Sequence, residues 1–123
     1  MELNERLKKA RKQGALSELM ENRDKIETAE YLGKILTITD VDVVDYDSEE
    51  DHCHYGIIVV AEYPNSFIMC GKSLTEVAEF ILNAFGESGM NDIKTFLAEN
   101  VVQFTAELVK TKKKQNFVNI TIL

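Results

Sequence analysis

Between residues 35 and 46 the chain reads as one long β-branched stretch whose apolar positions change parity partway along. Leu36 and Ile38 lie on one side of a period-two pattern, and Val41 and Val43 lie on the other. Side chains of a strand alternate strictly between its faces, so a regular strand cannot deliver all four to one core. One extra residue near Thr39-Asp40 would return them to a common face, and a β-bulge is predicted there. A bulge bends the strand that carries it. A long bent first strand can serve both sides of a small curled sheet.

The period-two pattern continues downstream. Residues 47–54 are polar and charged and read as an exposed loop. Strand two is predicted over 55–63; its centre, Ile57-Ile58-Val59-Val60-Ala61, is apolar on both faces, so both faces should be covered. Pro64-Asn65 supplies a turn, and 66–70 a third strand ended by Gly71. The rhythm then changes to 3.6 residues. Leu74, Val77, Ala78, Ile81, Leu82 and Phe85 form one stripe, Ser73 and Glu76 have capping-box spacing, and Gly86 or Gly89 stops the run. Each large side chain of such a stripe contributes about 1.5–3 kcal/mol when fully buried. The helix must therefore lie against a sheet or plug a barrel end. A shorter helix is predicted over 91–99, with Ile93, Phe96 and Leu97 inward. The last segment alternates as a hairpin: Val102, Phe104, Ala106 and Leu108 share a face, as do Val118, Ile120 and Ile122.

Three strands, a helix and a two-stranded hairpin, with a bent first strand, make the connectivity of an OB fold, a connectivity that other small α+β folds can share. The expected fold is mainly β with helices: a five-stranded antiparallel OB-type barrel over residues 30–123, with a helix between strands three and four. Residues 1–29 read as an N-terminal helical arm, with Leu3, Leu7 and Ala10 at helical spacing, an interruption at Gly14, and Leu16, Leu19 and Met20 resuming. The arm is expected to be a lid on the barrel or on a neighbouring subunit. The alternative is a direct nucleic-acid contact through Arg6, Lys8, Lys9, Arg11 or Lys12.

With 123 residues, 45% apolar and 28% charged, the chain has the composition of one ordinary globular domain. Its longest apolar run, 56–61, is too short to span a bilayer, and residues 1–5 lack the apolar stretch of a signal peptide. Cys53 and Cys70 are the only cysteines, so a cytoplasmic location with reduced thiols is expected. The net charge of −7 opposes polyanion binding, yet its distribution is uneven. Residues 1–25 hold seven of the fourteen basic residues against five acidic ones, four more lysines cluster between Lys110 and Lys114, and acidic residues concentrate between Asp40 and Asp51. Screening over roughly 8–10 Å isolates such regions from one another.

Signals for catalysis are poor. The six glycines are scattered, no serine has a nucleophile-elbow context, and no enzymatic activity or cofactor is expected. Asp40, Asp42, Asp45 and Asp47 could suggest metal-assisted phosphodiester chemistry, but Asp45 lacks the parity of Asp40 and Asp42, and an acidic strand edge is the simpler expectation. His52, Cys53 and His54, beside Asp47, Glu49, Glu50 and Asp51, form the best metal candidate. Ligands so near in sequence rarely close a tetrahedron alone, and the sequence offers no distant pair to complete them, so no functional metal is expected. Signals for binding are better. A single strand needs aromatic faces for its bases and cations for its backbone. Tyr46, Tyr55, Tyr63, Phe67 and Phe117 lie on or beside the expected binding strands, and Lys110, Lys112, Lys113 and Lys114 lie on the last hairpin. Phe117 has the parity opposite to Val118 and Ile120, which points it outward.

Three segments also carry a resemblance. Residues 30–42 (Glu-Tyr-Leu-Gly-Lys-Ile-Leu-Thr-Ile-Thr-Asp-Val-Asp), residues 55–75 from Tyr55 through Tyr63-Pro64-Asn65-Ser66-Phe67 to Gly71-Lys72-Ser73-Leu74-Thr75, and the closing Val109-Lys110-Thr111-Lys112 with Asn116-Phe117-Val118 resemble the small single-stranded-DNA-binding proteins of phages and prophages of Gram-positive bacteria. The resemblance covers about residues 30–123. It implies an OB fold that coats single-stranded DNA without sequence preference during phage replication or recombination, in the cytoplasm of a bacterial or infected host cell, with no cofactor and no membrane. It supports Tyr63, Phe67, Lys72 and the hairpin lysines as binding residues. RNA and a homo-oligomeric state are compatible with it. The chain departs from the pattern in ending at Leu123 within a strand, without an acidic tail, and in having few aromatics in Phe67-Ile68-Met69-Cys70. The alternative expectation is a non-enzymatic protein-interaction module, dimeric through the arm or the apolar strand edges.

Overall fold

The computed structural model describes residues 17–47, 52–110 and 116–123. Its organising element is β2 (Leu36–Asp47), which pairs antiparallel with β3 (His52–Val60) along most of its length and with β5 (Gln103–Lys110) through Leu36 and Thr37. The register between β2 and β3 shifts between Ile38 and Asp40, where the parity change predicted a bulge. Leu36, Ile38, Val41 and Val43 thereby join one core.

β3 pairs with β4 (Tyr63–Met69), and β5 pairs with β6 (Asn116–Ile122). A two-residue strand, β1 (Asp24–Lys25), adds in parallel to β4, with Asp24 opposite Ser66 and Lys25 opposite Phe67. The sheet is therefore six-stranded, in the order β1-β4-β3-β2-β5-β6. Five strands were expected. The sixth comes from the segment expected to be a helical arm, whose described part forms a 3-10 turn (Glu18–Met20), then β1, with the first α-helix, α1 (Thr28–Tyr31), beginning one residue before its predicted end. Asn22, at φ 60, turns the chain between the 3-10 turn and β1. Residues 1–16 of the arm lie outside the described residues. No ladder joins β4 to β6 among the described residues, so the sheet is curled and is not closed by a hydrogen-bonded seam there.

The expected loop over 47–54 is shorter, because β2 runs to Asp47 and β3 starts at His52, and β3 ends at Val60 where strand two was expected to reach 63. Two further local expectations are corrected. The turn after β3 falls at Ala61-Glu62, while Pro64 and Asn65 lie inside β4. Ile58 pairs with Ile68 and Val60 with Tyr63, so four residues of β4 stand against one of β3. Pro64 sits in that looped-out stretch, where a ladder N–H is not needed. The second correction concerns α2 (Lys72–Ser88): its N-cap is Gly71, without a side-chain cap, and the Ser73-Glu76 capping box does not form. Gly71 starts the helix early enough that Ser73 is already inside it, and the Gly71 carbonyl accepts from the Thr75 N–H. At the other end Gly89, at φ 76, takes the left-handed stop. α3 (Ile93–Glu99) is capped by Asp92, whose carboxylate accepts from Thr95 N–H and Oγ1–H.

The sheet buries both faces. On one, Leu74, Ala78 and Ile81 of α2 and Phe96 and Leu97 of α3 pack with Ile58, Val60, Ile68, Phe104 and Ala106. On the other, Val44, Ile57, Val59 and Phe67 form a second cluster, against which Leu19, Met20 and Tyr55 pack. The doubly apolar centre of β3 is thus covered twice, by a helix and by residues of the N-terminal segment. Ser17 Oγ donates to Asp42 Oδ2 at 2.8 Å, and Arg23 donates to the carbonyls of Leu19 and Pro64. These bonds strap the segment across the second face. No helix among the described residues is long and apolar enough to cross a membrane.

Candidate nucleic-acid interface

The end of β4, beyond its pairing with β1, and the edge strand β6 line a common groove. One wall is the end of β4 and the start of α2, with Met69, Gly71, Lys72 and Ser73; the other is β6, with Phe117, Val118 and Ile120. Tyr31 and Thr28 of α1 form its floor at one end. β6 alternates, and its inward residues Val118 and Ile120 pack on the main core, which leaves Phe117 on the opposite parity with 46% of its surface exposed. Lys72, the first residue of α2, is exposed and carries the cation of the groove.

Of the residues singled out from sequence, Lys72 and Phe117 are the two brought to this groove. Lys110 is exposed at the end of β5, opposite Asn116 in the ladder. Phe117 stands opposite Val109, so by register Lys110 belongs to the other face of the hairpin. Lys112, Lys113 and Lys114 lie outside the described residues, as does the side chain of Tyr46.

Phe67 and Tyr55 are placed differently from the expectation. Phe67 is 6% exposed within the second cluster, and half-buried Tyr55 packs on the same cluster. Strand parity sends both to the face that Leu19 and Met20 cover, so Phe67 offers no free ring face in this arrangement. The sequence pattern shows that these two residues share a face with Ile57 and Val59; it cannot show that another part of the chain lies on top.

Tyr63 is half-buried at a separate place, beside Lys34. Lys34 Nζ donates to Tyr63 Oη at 2.6 Å, and that hydroxyl is 3.4 Å from the Glu30 carbonyl. The ammonium is also 5.3 Å from the ring centroid. A cation bonded to the hydroxyl lies off the ring edge, so the contact is a hydrogen bond more than a cation–π pair, while the Tyr63 side chain packs against the main core.

A third cleft surrounds Asp40, which is buried and accepts from the Val41 N–H at 3.0 Å. Arg23, Lys94 and Leu97 line the same cleft. Desolvation raises the Asp40 pKa above the ordinary carboxylate value, and the charges of Lys94 and Arg23 act against that rise. Asp42 is engaged with Ser17 and its own neighbour Val43, and its charge adds to the rise at Asp40. Neither cysteine forms a disulfide; Cys70 is buried, and burial pushes its thiol up to about 12.

The chain was compared with protein-family models, with curated proteins and with solved structures, and none of the three comparisons gave a match.

Proposed function

We propose that the protein binds single-stranded nucleic acid without sequence preference, as a non-enzymatic protein of OB type, with single-stranded DNA in phage or prophage replication or recombination as the expected setting. The observation that carries this reading is the groove whose lining includes the exposed Phe117 together with Lys72 and Met69. A flat apolar ring beside an ammonium group is the pair that a base and its phosphate require. Support also comes from the strand order β4-β3-β2-β5-β6 with a helix between β4 and β5, which is the OB order without the ladder between its third and fifth strands among the described residues. The site is smaller than the sequence suggested. It rests on Phe117 and Lys72, because residues 17–20 occupy the face that carries Phe67 and Lys110 belongs to the other face of the hairpin.

Fluorescence anisotropy with labelled oligo-dT at two salt concentrations tests the proposal. Binding should weaken as salt rises, with a log–log slope of roughly −0.7 per phosphate contacted. A folded sample that does not bind at low salt would overturn it.

A second reading is favoured by one specific surface. Phe80 is 76% exposed on α2 and lies with Val77, Val102 and Ile122 along an apolar furrow, and Ile122 is itself half exposed. Such a cluster fits a protein-interaction module. If that is its role, Phe80→Asp should abolish a nuclease-resistant protein complex while leaving oligo-dT binding unchanged.

A further inference from the structure

The far end of the β2–β3 hairpin carries side chains that nucleic-acid binding does not require. Asp45 on β2 stands opposite His54 on β3, and His52 lies two residues before His54, so strand parity projects all three from one face. It is the face on which Val43, Ile58 and Val60 reach the main core, and it runs on beneath α2. Glu79 of α2 comes down to the same place.

The geometry is that of a ligand set. His52 Nε2 is 3.0 Å from Asp45 Oδ1, and His54 Nδ1 is 3.5 Å from Asp45 Oδ2. One ligand atom from each of the three residues fits within 4.8 Å of the others. The two imidazole rings are parallel, 8° apart in plane. Two donor atoms held at about 2.0–2.2 Å on a tetrahedral ion stand roughly 3.4 Å apart, close to both observed separations. The remaining nitrogen of His54, Nε2, meets the Glu79 carboxylate. In the neutral tautomer whose Nε2–H donates to that carboxylate, the Nδ1 lone pair faces Asp45. A lone pair and a carboxylate facing each other at 3.5 Å repel unless a cation lies between them. The three side chains are each well exposed, so an ion has a path in.

We propose that Asp45, His52 and His54 bind one borderline divalent transition-metal ion of the zinc class. Glu79 holds His54 in the ligating tautomer as an outer carboxylate, and water completes the coordination. Two imidazoles and one carboxylate select such an ion over calcium or magnesium, which require an all-oxygen shell. The sequence showed two histidines with no distant partners. The partners come from the neighbouring strand and from a helix 25 residues away.

Untagged protein stripped with chelator and titrated with zinc chloride tests the site. One zinc ion should bind per chain, and cobalt(II) should give the visible spectrum of a nitrogen–oxygen site without a thiolate charge-transfer band. The chain has only two histidines, so the imidazole NMR signals report directly, and both should shift on zinc addition. His52→Gln and His54→Gln should each abolish binding, Glu79→Gln should weaken it by about 10- to 100-fold, and Cys53→Ser should leave it unchanged. Circular dichroism establishes that each variant is folded. Failure of either imidazole to respond in the wild type, binding that survives the histidine variants, or binding lost in Cys53→Ser would each overturn the proposal.

Discussion

A β-carbon built on Gly56 would lie 3.0 Å from Cβ of Ala78, tighter than nine in ten such contacts in folded proteins. β3 passes directly beneath α2 at this point. The Gly56 N–H donates to Thr75 Oγ1 at 2.9 Å, and the Gly56 carbonyl accepts from Cys70 N–H at 2.8 Å. Cys70 Sγ and Thr75 Cα would each be 3.3 Å from the added carbon, so these neighbours too would have to give by a few tenths of an ångström. Gly56→Ala should destabilise the fold by about 1–3 kcal/mol, through displacement of α2 from the sheet. Urea denaturation measures it; an unchanged midpoint would show that the helix rides further from the strand.

The strap over the second cluster should carry measurable stability. Leu19 and Met20 are each half-buried against Val44, Ile57, Val59 and Phe67. Replacing both with alanine should cost about 1.5–3 kcal/mol, taking half of the full burial value for each. Binding of an apolar dye to the folded double variant should rise as Phe67 is uncovered. If neither changes, residues 17–20 do not cover that face in solution.

Asp40 gives a pH dependence of definite sign. Its pKa is raised in the folded state, chiefly by burial, so between the unfolded value near 3.8 and the folded value the native chain holds more protons than the unfolded chain. Stability contributed by this group therefore falls as pH rises through that window, and the loss persists above it. Asp40→Asn keeps the Oδ1 acceptor for the Val41 N–H and removes the charge. The variant should be more stable than wild type at neutral pH, with the difference vanishing below the ordinary carboxylate range. A variant less stable at neutral pH would mean that Arg23 and Lys94 outweigh the desolvation.

Cys70 should be inert while the protein is folded. With its thiol pushed up to about 12 by burial, almost no thiolate exists at neutral pH. In a Cys53→Ser background, alkylation of Cys70 should proceed only at the rate of structural opening and accelerate with added urea. Rapid alkylation in buffer would place the sulfur nearer the surface.

For the groove, Phe117→Ala should weaken oligo-dT binding by about 1–3 kcal/mol, the value of one stacked base. Lys72→Gln should lower the salt slope by roughly 0.7 while affecting all sequences alike. The same anisotropy titrations measure both. Equal affinities for the two variants and the wild type would move the interface elsewhere.

Periodicity in the chain was enough to determine which side chains share a face. The parity change between Ile38 and Val41 located the bulge, the stripe from Leu74 to Phe85 located α2, and the alternation after Val102 located the hairpin with Phe117 outward. These features are local: backbone geometry assigns neighbouring side chains to faces whatever lies opposite. What covers each face is a long-range matter, and only the tertiary structure decided it. Leu19 and Met20 lie over Phe67, Lys34 reaches the hydroxyl of Tyr63, and Glu79 and Asp45 meet His54, in each case across more than eight residues and from a different element. No sequence period links such pairs. They meet because a curled sheet brings its strands and the helix packed on it to the same point in space.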